Sequence, residues 1–330
     1  MGCVDEGERG HQTKGAAMIK HHGGDGWIRD DDQVEQVVAR LYARGIPVEA
    51  SAISTISGEW SRMTSRGATG IFAQDAEYAV LGRHLPAMTQ QRGRCVSLGT
   101  GRAIQDSLYM AIMAGKLSKP VQIATEPIYG GARVEVGRGA IEGDGAVGAW
   151  AAEFVAKYGV CCRDRIGQYD LSTDQEWAAV AFGDHGVPDE VLSESRSHLV
   201  SAHRCRSTDD IADCIAAGYP IAICGSTVRE HPNGNGIAAG ETAGNHCTEL
   251  CGVCLDAKGQ LLFIEQQSWG EYPGPVTLRW AGGSKPLRQG SFGVSANTVE
   301  RVLRYGGEAW AFAIGEGWIG SLAEMTIGGC

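Results

Sequence analysis

No basic block interrupts this chain: 29 lysines and arginines stand against 39 acidic residues, for a formal net charge of −10. That balance excludes binding to nucleic acid or an anionic membrane through a charged patch. No apolar run reaches the ~18 residues that a membrane span needs. The opening MGCVDEGERGHQTKG is not expected to act as a secretory leader, because it is polar and carries acidic groups. Gly2 invites N-myristoylation, but that motif wants Ser or Thr at the sixth position, where Glu6 stands. There is no internal repeat.

What is present is a chain of 330 residues, long enough for one large domain or two modest ones with a well-buried core. Its 48 glycines are about twice the usual share, so many loops and close backbone approaches are expected. The 11 cysteines are odd in number and scattered, unlike a small disulfide scaffold. They point to free thiols in a reducing, cytoplasmic setting.

Residues 1–25 are polar, without period, and read as disordered or loosely attached. DDDQVEQVVARLYARG, 30–45, is a helix with an Asp cluster at its start and Val34, Val37, Val38 and Leu41 on one face. Residues 46–90 give no clear period. CVSLGTGRAIQDSLYMAIMAG, 95–115, is a second helix. Gly99 and Gly101 cost it about 1 kcal/mol each, and their expected use is to let another element come close. AVGAWAAEFVAKYG, 146–159, is a third, with Asp144 as its expected cap. TDDIADCIAAG, 208–218, is a short helix followed by the strand YPIAIC. From 245 the period changes: NHCTELCGVCL and QLLFIEQ flank the turn DAKG as a β-hairpin. Further strands are expected near 276–280 and at 309–314. Helices first and strands later make an α+β protein, not an alternating βαβ one.

Four pieces line up chemically. QQRGRCVS puts Cys95 at a helix start, where backbone N–H groups and the helix dipole favour a thiolate. NHCTEL puts His246 at a strand start, the partner that would make a thiolate–imidazolium pair. QQSWG follows the partner strand and offers Gln267 as the group that orients the imidazole. Gln90 and Gln91, just upstream of Cys95, are candidate oxyanion donors beside the Cys95 N–H.

This arrangement resembles the papain-like cysteine peptidases (C1-like), over roughly residues 86–315. Q-x-G-x-C-V-S at 91–97 is similar to the family's nucleophile loop, Asn245-His246 to the pair that opens its histidine strand, and QQSWG at 266–270 to its Asn-Ser-Trp-Gly. His246 follows Cys95 by about 150 residues and Gln267 by about 170, near or a little beyond the family's range. Departures stand beside the matches. Gln267 replaces the Asn, Thr89 occupies the family's oxyanion-Gln place, Val96 replaces the aromatic after the Cys, and Asp144 splits the cleft glycines Gly143 and Gly145.

The resemblance implies a two-lobed papain-like fold, a helical lobe and an antiparallel β-sheet lobe with the cleft between them. Trp269 would lie over the His246–Gln267 contact. It implies peptide-bond hydrolysis with no cofactor and no metal, on a peptide or protein substrate. Residues 1–85 would be an N-terminal extension, a pro-segment or a docking arm; 86–315 the catalytic domain; 316–330 a C-terminal tail. CVSLGTGRAIQD and GSFGVSANTVERVL also resemble phage- or virion-associated members, which implies a virion location and a protein partner for residues 1–85. The alternatives are a catalytically weak structural or virion protein of this fold, and a cell-wall amidopeptidase.

Blander features remain. Cys247, Cys251 and Cys254 with His246 suggest zinc, but no second C-x₂-C completes the set and strand alternation puts His246 and Cys247 on opposite faces. Gly143–Gly148 matches G-x-G-x-x-G without the strand before it. HPNGNG, 231–236, reads as a loop at the cleft mouth, and His198 and His203 as residues without chemistry.

Overall fold

The computed structural model describes residues 26–117, 119–314 and 318, together with the backbone of 19–20. In chain order the first elements are β1 (Ile19–Lys20), α1 (Asp31–Ala43), α2 (Glu59–Thr64), β2 (Gly70–Phe72), α3 (Ala73–Leu81) and α4 (Cys95–Met113). Then come α5 (Glu126–Gly131), continued by a π-turn, β3 (Ile141–Glu142), α6 (Gly148–Tyr158), β4 (Arg165–Ile166), β5 (Tyr169–Asp170), α7 (Glu176–His185) and α8 (Asp189–Ser195). The last third holds β6 (Val200–Cys205), α9 (Thr208–Ala216), β7 (Ile221–Arg229), β8 (Glu241–Leu255), β9 (Leu261–Gln266), β10 (Thr277–Trp280), β11 (Gly283–Pro286), β12 (Ser291–Ser295), α10 (Ala296–Arg304) and β13 (Glu308–Ile314).

The main sheet runs β12-β9-β8-β7-β13-β6, with β2 added on β8, and every pairing in it is antiparallel. Helices on one side of α4 and the sheet on the other enclose two apolar clusters. The first, around Trp150, Phe154 and Val37, belongs to the helical lobe. The second, around Phe263, Phe292 and Val253, belongs to the sheet. The α+β fold expected from the order of elements is the one observed.

α4 is the seam between the lobes, and each of its residues from Cys95 to Tyr109 is buried. Its two glycines explain how. A Cβ on Gly99 would stand 3.0 Å from the Cys247 Sγ and 3.2 Å from the Thr248 carbonyl, and one on Gly101 would stand 2.5 Å from Thr125. The propensity lost at these positions lets β8 and the segment before α5 press against the helix. Some of its polar residues find partners across the seam. Ser107 Oγ donates to the Phe312 carbonyl at 2.9 Å, and Gln105 bridges the Val121 carbonyl and the Ile123 N–H. Arg102 and Asp106 join Glu77, Glu249 and Arg288 in a buried ionic cluster between α3, α4 and β8.

Local expectations hold in most places. Asp30 caps α1 by accepting the Gln33 N–H at 2.9 Å, and Val34, Val37, Val38 and Leu41 form the buried face. Asp256 makes the 256–260 turn by accepting from Lys258 and Gln260 N–H at 2.8 Å. One cap is corrected. Asp144 does not cap α6; the N-cap is Val147, which has no side chain to offer, and the Glu308 carboxylate accepts the Gly148 N–H at 2.8 Å instead. A carboxylate from a distant strand satisfies the orphan donors of the first turn and suits the positive end of the helix dipole.

Residues 31–81 build the same body as the rest. α1 contributes Val37 and Leu41 to the helical cluster, β2 pairs with β8, and Glu77 of α3 anchors α4. Trp318 is buried against His198 and donates to the Leu199 carbonyl at 2.8 Å; the remainder of 316–330, and residues 1–25 apart from the β1 backbone, lie outside the described residues. Among the described residues, no helix is long and apolar enough to cross a membrane.

Candidate active site

The site lies where the first turn of α4 meets β8. Cys95 is the first residue of α4, and its Sγ accepts the Cys247 N–H at 3.3 Å. The next residue back on β8, His246, has its ring Nε2 2.8 Å from Gln267 Oε1, in the loop after β9. So the N–H of the imidazole faces an amide oxygen, as an orienting group requires. The added methylene of Gln267, relative to Asn, is taken up by a further bond: its Nε2 donates to Glu265 Oε1 at 2.8 Å. Glu265 Oε2 lies 3.1 Å from Arg229, which also holds Glu241. Burial pushes the Glu265 carboxyl up, and Arg229 and a Thr248 hydrogen bond pull it back.

The Trp269 ring stacks on the imidazole, 4.4 Å between centroids and 22° between planes. Tyr272 meets Trp269 edge-on, and His231 of the HPNGNG loop packs on Tyr272. Residues 88–90 run beside 268–270. Gln90 N–H donates to the Ser268 carbonyl at 2.9 Å, Gly270 N–H to the Met88 carbonyl at 3.0 Å, and Thr89 bridges Trp269. This explains the QQSWG signature. The chain leaves β9 to line the nucleophile loop, and Gly270, at φ 62°, makes the bend with no Cβ to strike Thr89. Gln90 Oε1 accepts from Ser268 Oγ at 2.7 Å, which leaves its amide nitrogen to donate, whereas Gln91 is exposed on the loop. Gly145 stands in the opposite wall at φ 106°, its carbonyl held by Arg133 at 2.7 Å. Gly143 has open space around it, and Asp144 pairs with Arg92 at 3.6 Å.

Two further groups were not legible as site residues. The first is the segment 26–28. A Cβ on Gly26 would stand 2.6 Å from the Cys95 Sγ. Gly26 carbonyl accepts from Ala146 N–H at 2.9 Å, Ile28 N–H donates to the Ala146 carbonyl at 3.0 Å, and Trp27 N–H reaches the Asn245 carbonyl at 3.4 Å. The chain thus crosses the cleft directly over Cys95, bridged in parallel to the wall at 146. The second is Glu308, buried beneath Trp27. No sequence signal marked either; Glu265, an acid inside the apolar run LLFIE, was the one visible hint of a buried polar chain.

With 26–28 in place Cys95 is fully buried. Burial, then the Cys247 thiol, push its own thiol well above the ordinary range, against backbone N–H groups of Cys247, Gly26 and Val96 that favour the thiolate. The helix start expected to lower it is therefore outweighed in this closed arrangement. Cys247, Cys251 and Cys254 are buried among apolar neighbours, and among the described residues no group of three or more His, Cys, Asp or Glu is placed to hold a metal ion.

Gln267→Leu keeps the volume and removes the acceptor for the imidazole N–H. It should slow epoxide alkylation of Cys95 about tenfold, the worth of one hydrogen bond, with an unchanged circular dichroism spectrum. An unchanged rate would mean that Gln267 does not orient His246.

Among solved structures the chain is similar to xylellain, a cysteine protease from Xylella fastidiosa. The likeness covers 91% of this chain and 99% of that one, at 16% identity and a TM-score of 0.55. It is also similar to the bromelain protease from Ananas comosus, over 75% of this chain and 100% of that one, at 16% identity and a TM-score of 0.47. No family profile matches the sequence, and no curated protein matches it. The fold is papain-like, an α+β body with an antiparallel sheet like that of the xylellain structure. The virion association suggested by two stretches of sequence gains nothing from these likenesses.

Proposed function

We propose that this chain is a papain-like cysteine peptidase, held in a closed state by residues 26–28. One observation carries the reading: Cys95 Sγ, at the head of α4, lies against β8 one residue from His246, whose imidazole is fixed by Gln267. The Cys95 proton passes to His246, and the thiolate attacks the peptide carbonyl. The Cys95 N–H and the Gln90 amide stabilise the oxyanion. Gln90 takes that role over Gln91 because Ser268 holds it at the cleft. His246 returns the proton to the leaving amine, then removes one from the water that hydrolyses the thioester and frees the thiol.

The covering role expected of an N-terminal extension falls to the segment around Gly26, and the helices and strand from Asp31 to Leu81 serve the catalytic body. The test is mass-spectrometric mapping of a neutral thiol-reactive epoxide on folded Trp27→Ala, which loosens the segment over Cys95, with the epoxide below stoichiometry. In that variant Cys95 should be alkylated ahead of the other cysteines, and on adding His246→Ala it should fall to their level. Labelling spread over exposed thiols and indifferent to His246 would remove the peptidase reading.

A further inference from the structure

Cys162 is the one cysteine among the described residues that is not buried. With Tyr109, Lys119, Asp164, Glu194 and His198 it lines a cavity of about 480 Å³ that shares no residue with the Cys95 site. The backbone fixes it there. Ile123 and Cys162 form an antiparallel bridge, and Ala124 N–H donates to the Cys161 carbonyl at 2.9 Å. Neighbouring Cys161 turns the other way: it is fully buried, and its Sγ donates to the Val191 carbonyl at 3.2 Å. Extended backbone thus sends two adjacent thiols to opposite faces.

His198, to which the sequence assigned no chemistry, follows α8 by one turn, its N–H donating to the Ser195 carbonyl at 3.0 Å. Its Nε2 lies 3.8 Å from the Cys162 Sγ. The ring is 4% exposed, and Trp318 packs against it edge-on. Tyr109, also buried, carries a hydroxyl with no hydrogen-bond partner, a lack that a polar ligand atom in the cavity would relieve. Arg163 is held by Glu126 and Asp174, but Lys119, Asp164 and Glu194 have no ion-pair partner among the described residues. Burial first, then the Glu194 and Asp164 charges, push the Cys162 thiol up to about 11, against the pull of Lys119. One thiol therefore stands between an unpaired cation and unpaired anions, with an imidazole in reach, in a cavity of the usual size for a small-molecule site.

We infer that Cys162 is a modification site, where the disulfide of a small zwitterionic amino acid or short peptide exchanges to leave a mixed disulfide. The inference stands apart from the peptidase reading. His198 takes the Cys162 proton, and the sulfur attacks one sulfur of the disulfide. That S–S bond breaks as the new one forms, and the departing thiolate recovers the proton from His198. One S–S bond is lost and one gained, so no outside oxidant or reductant enters. Lys119 receives the ligand's carboxylate and Glu194 its ammonium. A thiol held above the ordinary value of ~8.5 is a poor leaving group, so the adduct resists release by the thiol it expelled.

The experiment treats the full-length chain with cystine, with cystamine, which lacks the carboxylates, and with dithiodipropionate, which lacks the ammoniums. Peptide mapping by mass spectrometry follows the adduct at Cys162. Each rate is divided by that of the same disulfide with N-acetylcysteine, which removes differences in intrinsic reactivity. Cystine should lead each single-charge disulfide about tenfold, the effect of one charge-assisted hydrogen bond. Lys119→Gln should erase its lead over cystamine, and Glu194→Gln its lead over dithiodipropionate. His198→Gln should slow all three disulfides alike. Equal normalised rates, no adduct at Cys162, or leads and rates that these variants leave unmoved overturn the inference. The comparison in the unmodified chain decides the matter should a variant fail to fold.

Discussion

Trp27→Ala should speed alkylation of Cys95 by a small neutral epoxide about a hundredfold. Truncating a buried Trp typically costs ~3–5 kcal/mol, and here most of that loss falls on the closed arrangement alone. In the closed chain the Cys95 thiol is buried and held protonated well past neutrality. Freed of Gly26, it regains solvent and keeps the N–H groups of Cys247 and Val96, which favour the thiolate. The gain should therefore be greatest near neutral pH and shrink as pH rises, since alkaline solution deprotonates the thiol in either form. A rate in Trp27→Ala equal to the parent's across that range would mean that residues 26–28 do not guard the nucleophile.

The second large effect concerns the cluster behind α4. Arg288 lies between Asp106 at 2.6 Å and Glu249 at 2.7 Å, with Glu77 at 3.4 Å, all buried. Arg102 adds the second cation, 2.5 Å from Glu77. Three carboxyls thus face two guanidiniums. Burial pushes each carboxyl up; for Glu77 and Asp106 the two arginines win and the acid stays ionised. For Glu249, burial and the Asp106 charge win and the group is driven well above the usual range. A proton on Glu249 leaves two carboxylates against two cations. Arg288→Leu then strands buried charge and should cost ~3–5 kcal/mol, read as a lower urea midpoint. Glu249→Gln replaces a neutral acid with a neutral amide and should cost under ~1 kcal/mol. Equal losses for the two would contradict this distribution of charge.

Cys95, His246 and Gln267 were legible because each lies in or beside an element that local chemistry marks. Cys95 follows a glycine loop into a helix and Gln267 precedes a Ser-Trp-Gly turn; His246, expected to open a strand, lies inside β8, which begins at Glu241 because its first residues pair with the end of β7. The helix at 148–158 was legible from its apolar spacing, but its cap was not. Asp144 was the local choice, whereas the group that accepts the Gly148 N–H comes from Glu308, far along the chain. Local pattern reports which backbone groups need partners; it does not say which remote side chain arrives. The stretch 46–90 showed no period because its short elements, β2 and α3 among them, are stabilised by β8 and α4 and not by a face of their own. Gln90 and Gln91 were equal candidates until the fold tied one of them to Ser268.

By itself the sequence determined the class of the fold, the acidic net charge, and the cysteine, histidine and amide that the proposed chemistry uses. These depend on composition, periodicity and turn chemistry, which act over a few residues at a time. The tertiary structure alone decided what lies over Cys95, which acid holds the Gln267 amide, and which carboxylate receives the Trp27 indole. Gly26 and Cys95, and Trp27 and Glu308, are distant in sequence and meet because the segment 26–28 lies across the cleft, while Glu265 and Arg229 meet because β9 and β7 flank β8 in one sheet. With that segment in place, burial outweighs the pull of the helix terminus on the charge of the Cys95 thiol.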